Sequence, residues 1–419
     1  MTYFSNWIGL ANPPGSREEE RATRAGRPDR YKPLAQHVFG FLRWTWPIAR
    51  VGRYAVVARH DDVEEVLTRS DVFEVPFADE IARLNDGDGP GTPFILGIDD
   101  RQVHDAQAGA VMRAFRREDI AVRVAQFSAQ RAREIVEAGD GKLEAIGQLI
   151  RRIPLEICTD YYGIEIANPK AFTEAAIGVS GHLFGIPPIV ETAAANRQAD
   201  VLRADIDRAI ASERARPSAN DTIVARLCRS ELDDKQIRAF LMGMIMGFVP
   251  TNTMAGGKIL EVLLRRPKFL EAARAAATCG DDDLLAHCLF EALRFMPINF
   301  GPFRRCKRDF VLAEGTPRAT PLREGTFVLA STMSAMFDPA SVENPTRFVP
   351  GRPASHLMHF GFGMHWCVGA FIARAQITQT FKPLVAMREL RRAPGRAGKL
   401  RLTFPVIGFP RSLGVRYLR

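Results

Sequence analysis

The sequence predicts a mostly α-helical fold with small β-sheets (α+β), arranged as one domain. Residues 105–275 show a helical pattern of apolar positions, and a long apolar helical segment covers 234–265 within it. Short strand-like pieces occur early, at 47–58, and again at 303–313 and 326–331. No internal repeat or change of composition divides the 419 residues, so one mixed domain fits better than several.

The chain begins with an irregular segment and a strand pair. Residues 1–34 are rich in Pro, Gly, Arg and Glu, so we expect an irregular lead-in before a single domain over 35–419. Two short strands, 47–51 and 54–58, are predicted to be joined by a two-residue turn. The next helix is predicted to have two acidic caps and three apolar residues on one face, namely Asp61 and Asp62, then Val63, Val66 and Leu67.

Two loops are predicted to interrupt the helices. The stretch 75–97 has Asn, Asp, Gly and Pro at its centre, and 185–188 contains two prolines. Much later, residues 370–377 include no Gly or Pro and predict a helix. This helix starts directly after the most distinctive stretch of the chain.

Composition and charge restrict the class of protein. With 46% hydrophobic and 25% charged residues, the composition is that of a soluble globular protein. The six cysteines are scattered, which indicates reduced thiols in the cytoplasm. We expect neither a signal peptide nor a membrane anchor, because the first residues contain no continuous apolar run. The net charge is +9, but no basic–aromatic motif indicates nucleic acid.

The distinctive stretch is a glycine-rich loop, 360–369, which presents Cys367 just before a helix. Its glycines permit unusual backbone angles and allow a large flat ligand to approach. A thiol at a helix N-terminus is biased toward thiolate, and a lone thiolate here is a candidate axial ligand for haem iron. Two weaker interpretations are a turn with a buried cysteine and a zinc site of His359, His365 and Cys367.

This loop resembles the haem-ligand loop of the cytochromes P450, F-G-x-G-x-H-x-C-x-G, with every defined position filled. The resemblance spans about 47–415. It implies the P450 fold, a single triangular-prism-like catalytic domain around a buried haem b. It further implies that Cys367 is the metal ligand and that Phe360 and Gly361 belong to the cofactor site.

A second motif of the family, E-x-x-R, matches Glu291 and Arg294, which lie in a helical run 76 residues before the cysteine. The family joins this pair to a later arginine, here Arg352. The resemblance therefore implies a buried three-way charge network that fixes the ligand loop. An ordinary surface ion pair is the alternative, since i, i+3 pairs are common on helices.

Haem propionates need positive or hydrogen-bonding partners. By resemblance, Arg304 is the first candidate, with Arg305 as its rival, and His365 is the second contact. His104 resembles a third contact, with a surface histidine as the alternative.

The family's arginine four residues after His104 is replaced by Ala108. One propionate is therefore expected to lose a charge-assisted hydrogen bond. Arg113 is the candidate to replace this arginine.

The oxygen-activating helix departs from the family pattern A/G-G-x-D/E-T. Anchored on Gly247, the acid position holds Val249 and the threonine position holds Pro250. Proline in a helix interior frees the carbonyl four residues back and kinks the axis; a break between two helices is the alternative. Thr251 and Asn252 are the candidates to present a hydroxyl or an amide to the oxidant, with Thr251 as the alcohol if the register shifts.

Peroxide-using members of the family place Arg-Pro where the acid and threonine usually stand. This chain shares the proline but has Val249 in place of the arginine. By family analogy the substrate pocket is mostly apolar. Its expected lining residues, each of which core packing would also explain, are Phe77, Phe94, Ile95, Leu183, Phe184, Ile298, Asn299 and Phe300.

Three functions fit the resemblance. The first is a soluble, cytoplasmic monooxygenase that hydroxylates a moderately sized apolar small molecule with O₂ and electrons from an external ferredoxin-type partner. The second is a peroxide-dependent peroxygenase or an enzyme that rearranges hydroperoxides, because the acid–threonine pair is missing. The third is a haem-binding protein without catalytic turnover.

An acidic ferredoxin-type partner would also explain the positive charge of the chain. Solvated surface is the simpler interpretation. The arginines concerned lie near both ends of the chain: Arg17, Arg21, Arg24, Arg27 and Arg30, then Arg388, Arg391, Arg392 and Arg396.

Overall fold

The computed structural model describes residues 34–87, 89–184, 192–403 and 408–419. The chain divides into two compact units. The first comprises the residues up to Pro76 and Lys258–Cys367, and the second comprises Phe77–Gly257 and Val368–Arg419. The lead-in before residue 34 and the loop at 185–188 lie outside the described residues, and the single domain over 35–419 stays a prediction.

The main sheet of the first unit consists of short strands. They are β1 (Ile48–Val51), β2 (Tyr54–Val57), β3 (Phe73–Glu74), β5 (Phe303–Cys306) and β8 (Phe327–Ala330). Their order is β1-β2-β8-β5-β3, and β2 pairs with β8 in parallel while the other neighbours are antiparallel. A separate hairpin joins β6 (Phe310–Leu312) to β7 (Thr320–Leu322). The predicted strand pieces are confirmed.

The first unit also contains helices. They are α1 (Leu34–Thr45), α2 (His60–Thr68), α11 (Pro267–Cys279), α12 (Asp282–Phe295) and α13 (Thr332–Ala335). Phe39 of α1 packs with Leu329 and Met333 in one buried cluster. The N-terminus of α12 is capped by Asp281, whose side chain accepts a hydrogen bond from the backbone of Leu284.

The start of α2 differs from the prediction. The helix begins at His60 with Arg59 as its N-cap, whose side chain makes no capping hydrogen bond. The His60 N–H instead donates to the distant Asp338 carboxylate at 3.0 Å. Asp62 is 2% exposed and binds the Arg318 guanidinium through two hydrogen bonds of 2.9 and 2.8 Å. The prediction that Asp61 and Asp62 cap this helix was therefore wrong, whereas the apolar face was predicted correctly.

The second unit is mainly helical. Its helices are α3 (Ala78–Asp86), α4 (Arg101–Ala114), α5 (Phe127–Ala138), α6 (Arg152–Asp160), α7 (Pro169–Phe184), α8 (Thr192–Ala215), α9 (Ile223–Cys228) and α14 (Ala370–Ala386). The π-helical turns at Ile120–Gln126 and Ile146–Ile150 precede α5 and α6. The helix predicted after residue 369 is confirmed by α14.

Two small antiparallel sheets complete the second unit. One has the order β4-β12-β9 and the other pairs β10 with β11. These strands are β4 (Lys142–Glu144), β9 (Arg388–Arg392), β10 (Arg401–Leu402), β11 (Pro410–Ser412) and β12 (Gly414–Leu418). An aromatic cluster fills part of the helical core, where the Phe115 ring lies 5.0 Å from Tyr162 and 5.8 Å from Phe240.

The predicted loop at 75–97 was wrong, because α3 occupies its first half. Ile81 and Leu84 of this helix are buried at 1% and 0% exposure, three residues apart on one face. Gly87 follows the helix with φ of 65°, which suits a residue without Cβ. A 3₁₀ turn at Ile95–Gly97 occupies the end of the stretch.

The long helix α10 (Asp234–Arg265) runs from the second unit into the first. Its bounds are those predicted, and it continues through Pro250, so the alternative of a helix break was wrong. Among the described residues it alone is long and apolar enough to cross a membrane, but 89% of its apolar window is buried. Burial of this kind is typical of the core helix of a globular protein.

Candidate functional site

The cysteine loop belongs to the first unit and is closed by backbone hydrogen bonds. The Cys367 N–H donates to the Phe360 carbonyl at 2.9 Å, and the Trp366 N–H donates to Gly363 at 3.1 Å. Gly361 and Gly363 have φ of 76° and 72°, and a Cβ on Gly363 would collide with the Leu67 carbonyl. Both positions therefore require glycine.

The thiol at the end of this loop is accessible. Cys367 is exposed and is not in a disulfide, so the interpretation as a turn with a buried cysteine was wrong. By contrast, Cys288 is buried, and burial raises the pKa of its thiol to about 12. No three His, Cys, Asp or Glu side chains in the described part of the chain could hold a metal ion, which contradicts the zinc interpretation.

The predicted charge network is confirmed and lies within the first unit. The Arg294 Nη2 donates to Glu291 Oε1 at 2.7 Å, and the Arg352 Nε donates to the same oxygen at 3.0 Å. The three side chains are between 0% and 3% exposed. The Val349 N–H also donates to Glu291 at 3.0 Å, which ties the segment before the cysteine loop to α12. Burial lowers the pKa of Arg294, and Glu291 opposes that shift.

Sequence reasoning missed a second attachment of the loop to α12. The His359 Nε2 lies 2.9 Å from the carbonyl oxygen of Phe290, and it must donate because a carbonyl only accepts. The Phe290 ring also contacts the rings of His359 and Phe360, with centroids 6.1 and 5.6 Å apart. Burial lowers the pKa of His359 to about 4, so the imidazole is neutral at physiological pH.

The structure separates the two rival arginines of β5. Arg304 is 5% exposed, and its Nη1 donates to the Phe303 carbonyl at 2.8 Å. Arg305 is half-exposed and pairs with Glu74. A buried guanidinium is the better partner for a buried propionate, which favours Arg304 over Arg305. His365 is partly buried in the cysteine loop of the same unit.

His104 lies on α4 in the second unit. It is 6% exposed, so the alternative of a surface histidine was wrong. Its Nδ1 lies 3.1 Å from the Asp105 carboxylate. Arg113 is exposed, and its guanidinium lies within 3.3 Å of where a Cβ on Gly109 would stand. That Arg113 replaces the arginine missing at Ala108 stays a prediction.

One face of α10 is open around Gly247. Gly247 is exposed although the rest of 241–250 is buried, and a Cβ placed there would meet nothing within 4 Å. Thr251, one turn later, is partly exposed, and its hydroxyl donates to the Gly247 carbonyl. Val249 and Pro250 are buried. The open face therefore carries Thr251 and not the two substituted positions.

The Asn252 side chain is buried and belongs to a series of hydrogen-bonded polar side chains. It is 4% exposed, and its Nδ2 donates to Gln376 Oε1 of α14 at 2.8 Å. The Gln376 Nε2 donates in turn to the Thr380 hydroxyl at 2.7 Å. One amide N–H of Asn252 is thus committed inside the second unit, and contact between Asn252 and the oxidant stays a prediction. Nothing in the sequence motifs pointed to Gln376.

A family model described as cytochrome P450 matches residues 194–411, which is more than half of the chain. Erythromycin C-12 hydroxylase of Saccharopolyspora erythraea is 27% identical over 364 residues, covering 83% of this chain and 85% of the relative. A mutant of P450 EryK in complex with erythromycin B superposes with a TM-score of 0.75 at 24% identity, covering 91% and 96% of the two chains.

A fungal relative matches a shorter part of the chain. The bifunctional dioxygenase–epoxy alcohol synthase of Pyricularia oryzae is 33% identical over 135 residues, or 32% of this chain. The matched part is 12% of the fungal protein's own length.

This chain belongs to the cytochrome P450 family. It is a haem-binding oxidoreductase of the P450 monooxygenase type, and its fold is the α+β P450 fold predicted from the sequence. The described residues fit such a cofactor. Within the first unit an exposed thiol, a buried Arg304 and His365 would hold the iron and the propionates. Within the second unit, a Cβ at Gly247 would meet nothing within 4 Å.

Proposed function

We propose that this chain hydroxylates or epoxidises a moderately sized, apolar small molecule with O₂ and electrons from an external ferredoxin-type protein. When bound, the haem supplies oxygen activation through its iron, which Cys367 would hold as a thiolate. The observation that carries the proposal is the position of Thr251. It stands on the open face of α10, four residues after Gly247, with its hydroxyl oriented by the Gly247 carbonyl.

Thr251 would supply the hydroxyl that the family pattern places at Pro250. Its proton is held at Oγ1 by the Gly247 carbonyl, and its oxygen can accept a second hydrogen bond from water or from the oxidant. No Asp or Glu lies between Phe240 and Lys258, so protons would have to pass through Thr251 and water. We expect slower proton delivery than in members of the family that have the acid.

Two aromatic contacts in the second unit support an apolar substrate. Phe94 packs against α10 so closely that a Cβ on Gly243 would lie 2.5 Å from its ring. Phe77 of the same unit contacts Phe184 edge-on, with ring centroids 5.8 Å apart. Aromatic rings in such contacts favour apolar ligands over charged ones.

Charge supports an acidic partner protein and, with the scattered cysteines, a cytoplasmic location. Lys142, Arg416 and Arg391 are exposed and lie in register across the β4-β12-β9 sheet of the second unit. Arg391 also lies 3.5 Å from the Glu389 carboxylate. Like charges directly opposite each other are destabilising, and an anionic partner protein would offset this repulsion. The arginines before residue 34 lie outside the described residues.

The identity of the oxidant is tested by comparing turnover with O₂ and an electron supply against turnover with hydrogen peroxide. The purified protein is given a panel of apolar substrates, first with ferredoxin, ferredoxin reductase and NAD(P)H in air, and then with hydrogen peroxide alone. We expect product in the first condition. Product in the second condition alone would contradict the proposal, and no turnover in either condition would favour a haem-binding protein without catalytic activity.

A second candidate function is rearrangement of an organic hydroperoxide. Two observations favour it: Val249 and Pro250 remove the acid–threonine pair, and the fungal relative is named an epoxy alcohol synthase. An unsaturated hydroperoxide and an epoxy alcohol are isomers. The O–O bond breaks, one oxygen forms the epoxide and the other becomes the hydroxyl, so no electrons or partner are needed. Conversion of a fatty-acid hydroperoxide in the absence of NAD(P)H tests this candidate directly.

A further inference from the structure

We infer that His359 is a positioning residue for the thiolate ligand, because it fastens the cysteine loop to α12. The Nε2–H of His359 donates to the Phe290 carbonyl at 2.9 Å. His359 directly precedes Phe360, whose own carbonyl accepts the Cys367 N–H at 2.9 Å. The inference rests on the proposal that Cys367 is the iron ligand, whichever oxidant the enzyme uses.

The attachment has a specific place in the loop. Arg352 fixes the segment before the loop to Glu291, and His359 fixes the loop itself to Phe290, the neighbouring residue of α12. These two anchors lie in one unit and on consecutive residues of one helix. The Phe290 ring also lies beside the Phe360 ring, with centroids 5.6 Å apart.

The anchor works through a neutral donor. A charged side chain would need a compensating charge at this half-buried position, whereas a neutral imidazole needs one acceptor, which Phe290 supplies. The bond holds the position of Phe360, and Phe360 receives the N–H of the ligand residue. Loss of the donor would leave the Phe290 carbonyl with fewer partners and would let the loop move relative to α12.

The experiment follows the thiolate band of the reduced, carbon monoxide-bound holoenzyme over time at fixed pH and temperature. Three variants are compared with the natural protein. His359→Gln keeps an N–H donor near the Nε2 position, His359→Leu removes it, and His37→Leu removes an exposed histidine of α1 as the matched control. The reduction potential of each loaded protein is measured in parallel.

We expect His359→Leu to lose the thiolate band about tenfold faster than the natural protein, as the loss of one partly buried hydrogen bond would allow. Its reduction potential should shift, whereas His359→Gln and His37→Leu should keep both properties. A His359→Leu protein with natural band lifetime and potential would overturn the inference, as would a His359→Gln protein as defective as the leucine variant.

A replacement variant and the spectrum of the natural protein cover two further results of this experiment. Should His359→Leu fail to fold, His359→Asn replaces it, because its shorter side chain places the N–H out of reach of Phe290. A natural protein without the thiolate band would instead refute Cys367 as the ligand, which separates failure of the proposed function from failure of the role of His359.

Discussion

The cysteine loop with its charge network and residues 247–252 of α10 differ in how closely they follow the family. In the first region, Glu291 accepts from Arg294, Arg352 and a backbone N–H, and every position of the loop motif is filled. In the second region, the acid and threonine positions hold Val249 and Pro250. The residues of the ligand loop and its charge network are kept, whereas the acid and threonine of the oxygen-activating helix are changed. One cofactor position also departs from the family, since Ala108 replaces a propionate arginine.

Charge explains why the two regions tolerate change differently. Replacing one member of the buried network leaves a charge without its partner, at a cost of about 3–5 kcal/mol. Val249 and Pro250 are also buried, but they are uncharged, so they leave no charge without a partner. The network therefore tolerates substitution less well than these two positions of α10.

The largest effect is expected when Cys367, the proposed iron ligand, is replaced. We expect Cys367→Ser to abolish the red-shifted band of the reduced, carbon monoxide-bound protein completely, because a serine hydroxyl does not supply a thiolate. Cys279→Ser, at the other exposed cysteine, is the control and should leave the spectrum unchanged. Retention of the band in Cys367→Ser would remove the ligand assignment.

The next largest effect is expected on stability, when the buried network of Glu291, Arg294 and Arg352 is disrupted. Glu291→Gln should lower the free energy of unfolding of the holoenzyme by about 3–5 kcal/mol, because two buried guanidinium groups lose their carboxylate. Denaturant titration measures this loss. Glu134→Gln disrupts an exposed ion pair with Arg131 and should leave the midpoint where it is. Equal denaturant midpoints for the natural protein and both variants would mean that the Glu291 network does not stabilise the protein.

A third prediction uses Lys258, which lies on α10 seven residues after Thr251. Its ammonium is buried and donates to the carbonyls of Pro297 and Ile298, and burial lowers its pKa to about 7. The unfolded chain therefore binds more protons than the folded chain between about pH 7 and the ordinary lysine pKa of 10.5.

It follows that the stability contributed at Lys258 should rise with pH across this window, by at most about 1.4 kcal/mol per pH unit. Lys258→Met should lack this rise, so the difference in unfolding free energy between the two proteins should change steadily from pH 7 to 10. Denaturant titrations at several pH values give this difference. Parallel pH profiles for the two proteins would refute the buried, titrating lysine.

The smallest expected effect is a loss of stability when the buried hydrogen bond from Asn252 to Gln376 is removed. Asn252→Leu should cost about 1–3 kcal/mol, because Gln376 loses the donor to its amide oxygen. Adding Gln376→Met in the same chain should restore part of that loss, since both polar partners are then absent. A double variant less stable than the sum of the two single variants would contradict this coupling.

The sequence predicted the elements whose signals are local. The bounds of α10 and the strands β1 and β2 follow from apolar patterns within single segments. The helix α3 was missed because the Asn, Asp and Gly residues at its end dominated the interpretation, although Ile81 and Leu84 already had helical spacing. The capping error at α2 arose because Asp62 binds the distant Arg318.

In the candidate site, too, residues in local motifs were predictable and contacts between distant segments were not. Cys367, Glu291, Arg294 and Arg352 were predictable because family motifs fix their spacing. The bonds from His359 to Phe290 and from Asn252 to Gln376 join residues 69 and 124 positions apart, so only tertiary packing reveals them. The open face at Thr251 likewise depends on which side of α10 the other helices cover.

The central claim is that Thr251 supplies the hydroxyl on the open face of α10. It is tested most directly by measuring the peroxide released per NAD(P)H consumed during ferredoxin-supported turnover. Thr251→Val is compared with Thr253→Val, whose buried hydroxyl makes the equivalent bond to Val249 at 2.7 Å. We predict that Thr251→Val diverts most electrons to peroxide and that Thr253→Val behaves as the natural protein. Unchanged peroxide release in Thr251→Val would contradict the claim.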